Sequence, residues 1–227
     1  MKKLIDVFQT LEKYCYKWDN YFPAYDNHIS KYIGENPNVL EIGIAGGGSL
    51  EMWSKYFENG QIYGIDADEK FLTYKYTQDN IHIQLGDQSR EDYWDSFIKN
   101  NPDLKYDVII DDGSHIHPHQ TLTLIKLFPV LNYGGTYVIE DTHTSYWPAY
   151  QGATKKPGTF IENMKDLIDL LHMQHISDTQ PNQMLREIFK DIGSITFYNS
   201  MVIITKQPYE NAIPIASDGK PFAGWAK

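Results

Sequence analysis

The sequence predicts an open α/β sheet with helices on both faces and an antiparallel edge, and three observations lead there. Short β-branched runs alternate with stretches of helical spacing from residue 38 to residue 139. One of those runs, NVLEIGI, passes straight into the glycine-rich turn AGGGS. Two late runs, at Ser194–Tyr198 and Met201–Thr205, are joined by Asn199-Ser200 alone, a two-residue connection that forces an antiparallel pair.

Taken in order, residues 1 to 37 precede the first strand and are rich in aromatics. Tyr14, Trp18, Tyr21 and Tyr25 recur every three to four residues, which predicts a helical stripe with Pro23 opening a second helix. Such a stripe serves as core or partner contact, or as a lid over a bound ligand. Asn38 to Ile44 is the first strand, followed by the glycine turn and a helix through Glu58. A turn of this kind brings backbone close to a ligand and aims helix N–H groups at negative charge.

The next strand, Gln61 to Ile65, ends in Asp66, about 20 residues beyond the glycines, where an acid accepts hydrogen bonds from ribose hydroxyls. A nucleoside-containing cofactor follows from that pairing. Ile81 to Leu85 is the third strand. Asp87 and Gln88 behind it either address an adenine amino group or begin the helix around Arg90 to Lys99 as an ordinary cap.

Val108 to Ile110 and Thr136 to Ile139 are buried parallel strands flanking a helix over Thr121 to Leu131. They end in Asp111-Asp112 and Glu140-Asp141, beyond the carboxyl ends where such sheets keep their functional crevice. On neighbouring strands about 4.8 Å apart these carboxylates reach one common ion. Left bare they oppose one another's ionisation, a cost that a hard divalent cation such as Mg²⁺ or Mn²⁺ removes. The bland reading is helix capping and loop solvation. Thr159 to Leu171 and Asn182 to Lys190 then read as helices ahead of the hairpin.

Composition sets the outer limits. The 227 residues, 41% hydrophobic, suit a single domain over 1–227, with a helical cap at 1–37, a core at 38–205 and a tail at 206–227. A formal charge of −10 without a basic stripe argues against nucleic acid as a partner. Cys15 is the single cysteine, which excludes an internal disulfide and reads as a half-buried helix residue. No apolar run approaches the roughly 20 residues of a membrane span, so the expectation is a cytoplasmic protein with no membrane partner. Phe222 and Trp225 in the tail predict docking on the body or on another subunit.

The histidines separate by context. His115 follows DDGS within reach of the acids and has the right ordinary pKa for a base near neutrality. Pro118 breaks helical pairing in HIHPH, so His117 and His119 read as loop or helix-start residues, while His143 is a candidate substrate contact and His172 and His175 carry no chemistry.

VLEIGIAGGGSLEMW, IDAD, GDQS, DDGSH and YVIEDTHTSYWPAYQG together resemble the class I S-adenosylmethionine-dependent methyltransferases. Within them they are similar to the metal-dependent sugar O-methyltransferases of the mycinamicin and macrocin type, over roughly residues 14 to 150. The resemblance implies a Rossmann-like sheet of seven strands with the last antiparallel. It implies methyl transfer from S-adenosylmethionine to a hydroxyl of a sugar, of a sugar-containing antibiotic or of a surface glycan, with vicinal hydroxyls chelating Mg²⁺ or Mn²⁺. It further implies Asp112, Glu140 and Asp141 as metal ligands and His115 as general base. Glu41, Gly43, Ala45, Gly47 and Ser49 would hold the cofactor's methionine part, Asp66 its ribose, Asp87 and Gln88 its adenine side, with Asp111 nearby. A homo-oligomer is also implied.

The family pattern carries a histidine before the tyrosine of its N-terminal aromatic segment, whereas here Asn20 precedes Tyr21. That residue's role is not carried over. The alternatives are an NAD-dependent oxidoreductase, against which Ala45 stands where the second glycine belongs, a catechol-type O-methyltransferase, and a non-catalytic binding subunit.

Overall fold

The computed structural model of the chain describes residues 2–176 and 183–221. Seven strands, β1 Asn38–Ile42, β2 Gln61–Asp66, β3 Ile81–Leu85, β4 Tyr106–Asp111, β5 Leu131–Ile139, β6 Ile192–Tyr198 and β7 Met201–Lys206, form one sheet in the order β3-β2-β1-β4-β5-β7-β6. The first five are parallel, and β7 pairs antiparallel with both β5 and β6. β2 lies on one side of β1 and β4 on the other, so the order reverses at β1. At such a reversal the loops leave in opposite directions and open a crevice.

Alternation along the strands sorts the core into two layers. Leu40, Ile42, Ile109, Tyr137, Ile139 and Val202 face one apolar cluster, reached by α4 (Glu91–Asn100), α5 (His117–Leu127), α6 (Phe160–Leu171) and α7 (Gln183–Phe189). Val39, Val108, Ile110, Val138 and Ile203 face the other, covered by α1 (Leu4–Phe8), α2 (Tyr21–Ile29) and α3 (Gly48–Tyr56). Period-two strands buried on both faces read as continuous β-branched runs.

Three expectations are corrected. The stripe from Tyr14 to Tyr25 is not one helical face: residues 9–20 are non-helical, Tyr14 and Trp18 are exposed, and only Tyr21 and Tyr25 are buried, on α2. Cys15 is half-buried, as expected, but lies in that irregular stretch and not in a helix. The helix placed at Thr121 to Leu131 starts at His117 with Pro118 in its first turn, where a missing N–H costs nothing, and Leu131 already belongs to β5.

The hairpin turns at Asn199-Ser200 as expected, Ser200 taking the left-handed conformation at φ 68°. Beyond β7 the chain is tied back where Tyr209 N–H donates to Asp191 at 3.1 Å. Phe222 and Trp225, which carried the docking expectation, lie outside the described residues. Among the described residues no helix is long and apolar enough to cross a membrane.

Candidate active site

Gly43 ends β1 at φ 91°, and a Cβ there would stand 2.1 Å from the carbonyl oxygen of Asp112. Only glycine allows the β1 turn and the β4 loop to lie against each other. Ala45 and Gly47 continue the turn with positive φ, and Gly47 precedes the first turn of α3. Asp66 accepts a hydrogen bond from Ile44 N–H at 2.8 Å and another from Asp68 N–H at 3.0 Å, so the acid at the tip of β2 braces the glycine turn. Glu41 is buried beneath it, accepting from the Ser49 hydroxyl at 2.6 Å and the Trp53 indole at 3.0 Å. Burial pushes its carboxyl up to about 7, against the pull of Lys17.

On the adenine side the expected residues divide. Asp87 is exposed and accepts from both N–H and hydroxyl of Ser89, closing a local turn and leaving Arg90 at the helix start. Gln88 is buried, donating to Asp111 at 2.7 Å and accepting from Ser114 N–H at 2.9 Å. Asp111 is fully buried, and burial raises its carboxyl to about 7.

Asp112 and Glu140 converge beside Glu41. The ladder runs on past the strands, with Asp112 N–H donating to Ile42 O and Glu140 N–H to Asp111 O, both at 2.9 Å, so the tips of β1, β4 and β5 stay in register. Among them sits Lys17, whose ammonium is 3% exposed and lies 2.5 Å from Asp112 Oδ2, 2.8 Å from Glu140 Oε1 and 4.0 Å from Glu41 Oε1. Tyr25 also donates to Glu140. Burial and the charge of Asp112 push Glu140 up to about 8, with Lys17 and Tyr25 opposing.

Asp141 turns the other way. Its Oδ1 accepts from the Tyr21 hydroxyl at 2.7 Å and the Trp18 indole at 3.0 Å, and its Oδ2 faces His115 Nε2 at 3.5 Å. Asp112, His115 and Asp141 present ligand atoms all within 4.8 Å of one another, a spacing that one small cation can span. His115 and Asp141 both hold positive φ, 56° and 53°. Such conformations cost about 1–3 kcal/mol in a residue with a side chain and cluster at functional sites.

His143 packs on Trp147 with ring centroids 4.3 Å apart and hydrogen-bonds Ser200, at the edge of an open groove of about 510 Å³ that runs to Phe197 and Ile161. His119 meets the Ser114 hydroxyl at 2.8 Å, His117 starts α5, and His172 and His175 are exposed. Burial lifts the Cys15 thiol to about 12, which disfavours the thiolate. Lys17 escaped sequence analysis, although a cluster of acids needs a counter-charge and that need points to the chain's own lysines.

A sheet reversing at β1, a glycine turn at that reversal and acids at the tips of β4 and β5 define a class I methyltransferase fold. No family model matches the chain. It is 34% identical over 203 residues to the 8-demethyl-8-alpha-L-rhamnosyl tetracenomycin-C 2'-O-methyltransferase of Streptomyces olivaceus, covering 84% of this chain and 52% of that one. It is likewise 34% identical over 196 residues to the mycinamicin VI 2''-O-methyltransferase of Micromonospora griseorubida, covering 81% and 47%. The crystal structure of MycE methyltransferase from the mycinamycin pathway with Mg, SAH and mycinamycin VI superposes with a TM-score of 0.75 at 31% identity, over 94% of this chain and 57% of that one. The chain thus spans about half the length of the curated relatives it matches, and over that half it is similar to these sugar O-methyltransferases.

Proposed function

We propose that this chain is a divalent-metal-dependent methyltransferase domain that moves a methyl group from S-adenosylmethionine to a hydroxyl of a sugar carried on a small-molecule glycoside. The observation that carries the reading is the meeting of Asp112, His115 and Asp141 beside the glycine turn, with Glu140 joined to Asp112 through Lys17.

The residues suit both groups. The turn from Gly43 to Ser49 lines a cavity beside Asp112, and Asp66 stands at the end of β2 where a ribose acceptor belongs. Carboxylate oxygens are the donors a hard divalent cation takes. When bound, S-adenosylmethionine supplies an electrophilic methyl and the cation acidifies an alcohol that would otherwise be a poor nucleophile. Asp112, Glu140 and Asp141 would hold the cation.

His115 receives the hydroxyl proton at an imidazole nitrogen, with Asp141 orienting the ring from 3.5 Å. Tyr21 and Trp18 fix the Asp141 carboxylate, so the base and its orienter keep one geometry. Trp147 and His143 offer an apolar wall to the face of a sugar ring.

Isothermal titration with S-adenosylmethionine in Mg²⁺, followed by methyl transfer to rhamnosyl tetracenomycin and macrolide glycosides with and without chelator, tests this. Binding of the cofactor and chelator-sensitive transfer to a glycoside are expected. NAD binding in its place, or transfer to catechols alone, would replace the proposal with one of its rivals.

A further inference from the structure

The stretch leading to Lys17 is built as a strap. At its start the N–H groups of Glu12 and Lys13 donate to the buried Glu51 carboxylate at 3.1 and 3.0 Å. In its middle the carbonyl of Tyr14 accepts from Gly48 N–H at 3.2 Å and fills the places where Gly46 and Gly48 would carry a Cβ. At its end the Lys17 ammonium enters the acids. Under this strap the cavity bounded by Gly43, Ala45, Ser49, Asp112 and His115 has about 110 Å³, below the roughly 300–1,000 Å³ of sites for drug-sized ligands.

Lys17 pairs with Asp112 Oδ2 and Glu140 Oε1, and Asp112 is also one of the three residues, with His115 and Asp141, whose ligand atoms one small cation can span. Mg²⁺ binds oxygen at about 2.0–2.1 Å and needs the lone pairs that an N–H donor consumes. A second positive charge within a few ångströms is also repelled strongly where water is excluded.

We propose that Lys17 is a positioning residue that alternates with the metal. Its ammonium holds Asp112 and Glu140 together in the metal-free chain, and the arriving cation displaces it and loosens the strap over the glycine turn. The inference rests on the metal site proposed above and goes beyond it by assigning a tethered competitor to that site.

The test is Mn²⁺ titration of the full chain, with free Mn²⁺ read by electron paramagnetic resonance. Lys17→Met is expected to bind Mn²⁺ at least about tenfold more tightly than the unaltered chain, since it removes a like charge from the nest. Lys17→Arg, which restores that charge, is expected to fall back toward the unaltered value. Tight binding by Lys17→Met where the unaltered chain binds none overturns the alternation, because the cation then never takes the lysine's place, and spares the metal site. Binding by the unaltered chain that Lys17→Met leaves unchanged or weakens overturns the alternation and spares the metal site, whereas no Mn²⁺ binding by either protein overturns both. Hydrogen exchange on the unaltered chain needs no variant: Mn²⁺ should speed exchange at residues 12–17, and unchanged protection there defeats the proposal.

Discussion

Both ends of β5 are held by a buried lysine, and the two lysines answer to different partners. At its start, Lys206 from β7 donates to the carbonyls of Phe128, Pro129 and Leu131 at 3.0, 3.2 and 2.9 Å and lies over the Phe128 and Tyr133 rings. At its end, Lys17 meets the carboxyl groups of Glu41 on β1, Glu140 just past β5 and Asp112 in the loop after β4. Burial lowers the Lys206 amine. Burial pulls on Lys17 as well, but Asp112 and Glu140 outweigh it and leave the ammonium well above its ordinary value. Carbonyl dipoles around a single turn make a staple. Carboxyl groups converging from separate strands need a cation between them, and here the chain supplies its own.

The contrast can be broken at either end. His115→Ala at the acid end should cut methyl transfer about 100-fold or more while titration calorimetry shows S-adenosylmethionine affinity kept; near-normal turnover would remove the histidine from its role. Lys206→Met at the other end should cost about 3 kcal/mol in chemical denaturation, because it strips three carbonyls of their donor, and should leave Mn²⁺ affinity alone. A change in metal binding there would erase the distinction. Tyr25→Phe removes one donor from Glu140 and should destabilise the chain by about 1–2 kcal/mol, read from the shift in urea midpoint.

The smallest effect is a slope with pH. The Asp111 carboxyl stands near 7 in the fold against an ordinary 3.8, so the folded state holds its proton more tightly than the unfolded state. Its contribution is complete below pH 4 and is lost as pH rises through 7. Metal-free stability should therefore decline across that window, and Asp111→Asn should flatten the decline.

Much of this was legible in the sequence wherever local chemistry and tertiary structure agree. β1 and β4 are apolar because both faces are buried, and the hairpin announced its antiparallel pair through a two-residue turn. The acids at the ends of β4 and β5 and the glycine turn lay where strand geometry puts them. The N-terminal segment was misread because its aromatic spacing is helical while its partners are distant: Glu51 takes the amides of Glu12 and Lys13, and the acids take Lys17. Those contacts cross 38 to 123 positions of chain, and no window of sequence reveals them. The partners of Gln88 and Asp111 were hidden for the same reason, since a buried amide between two loops leaves no periodic trace.

The carbonyl of Asp112 occupies the volume that a side chain on Gly43 would need, so two turns far apart in the chain form one interlocking joint. Neither half can be swapped alone: a designer grafting the acidic loop onto another scaffold must bring the glycine with it.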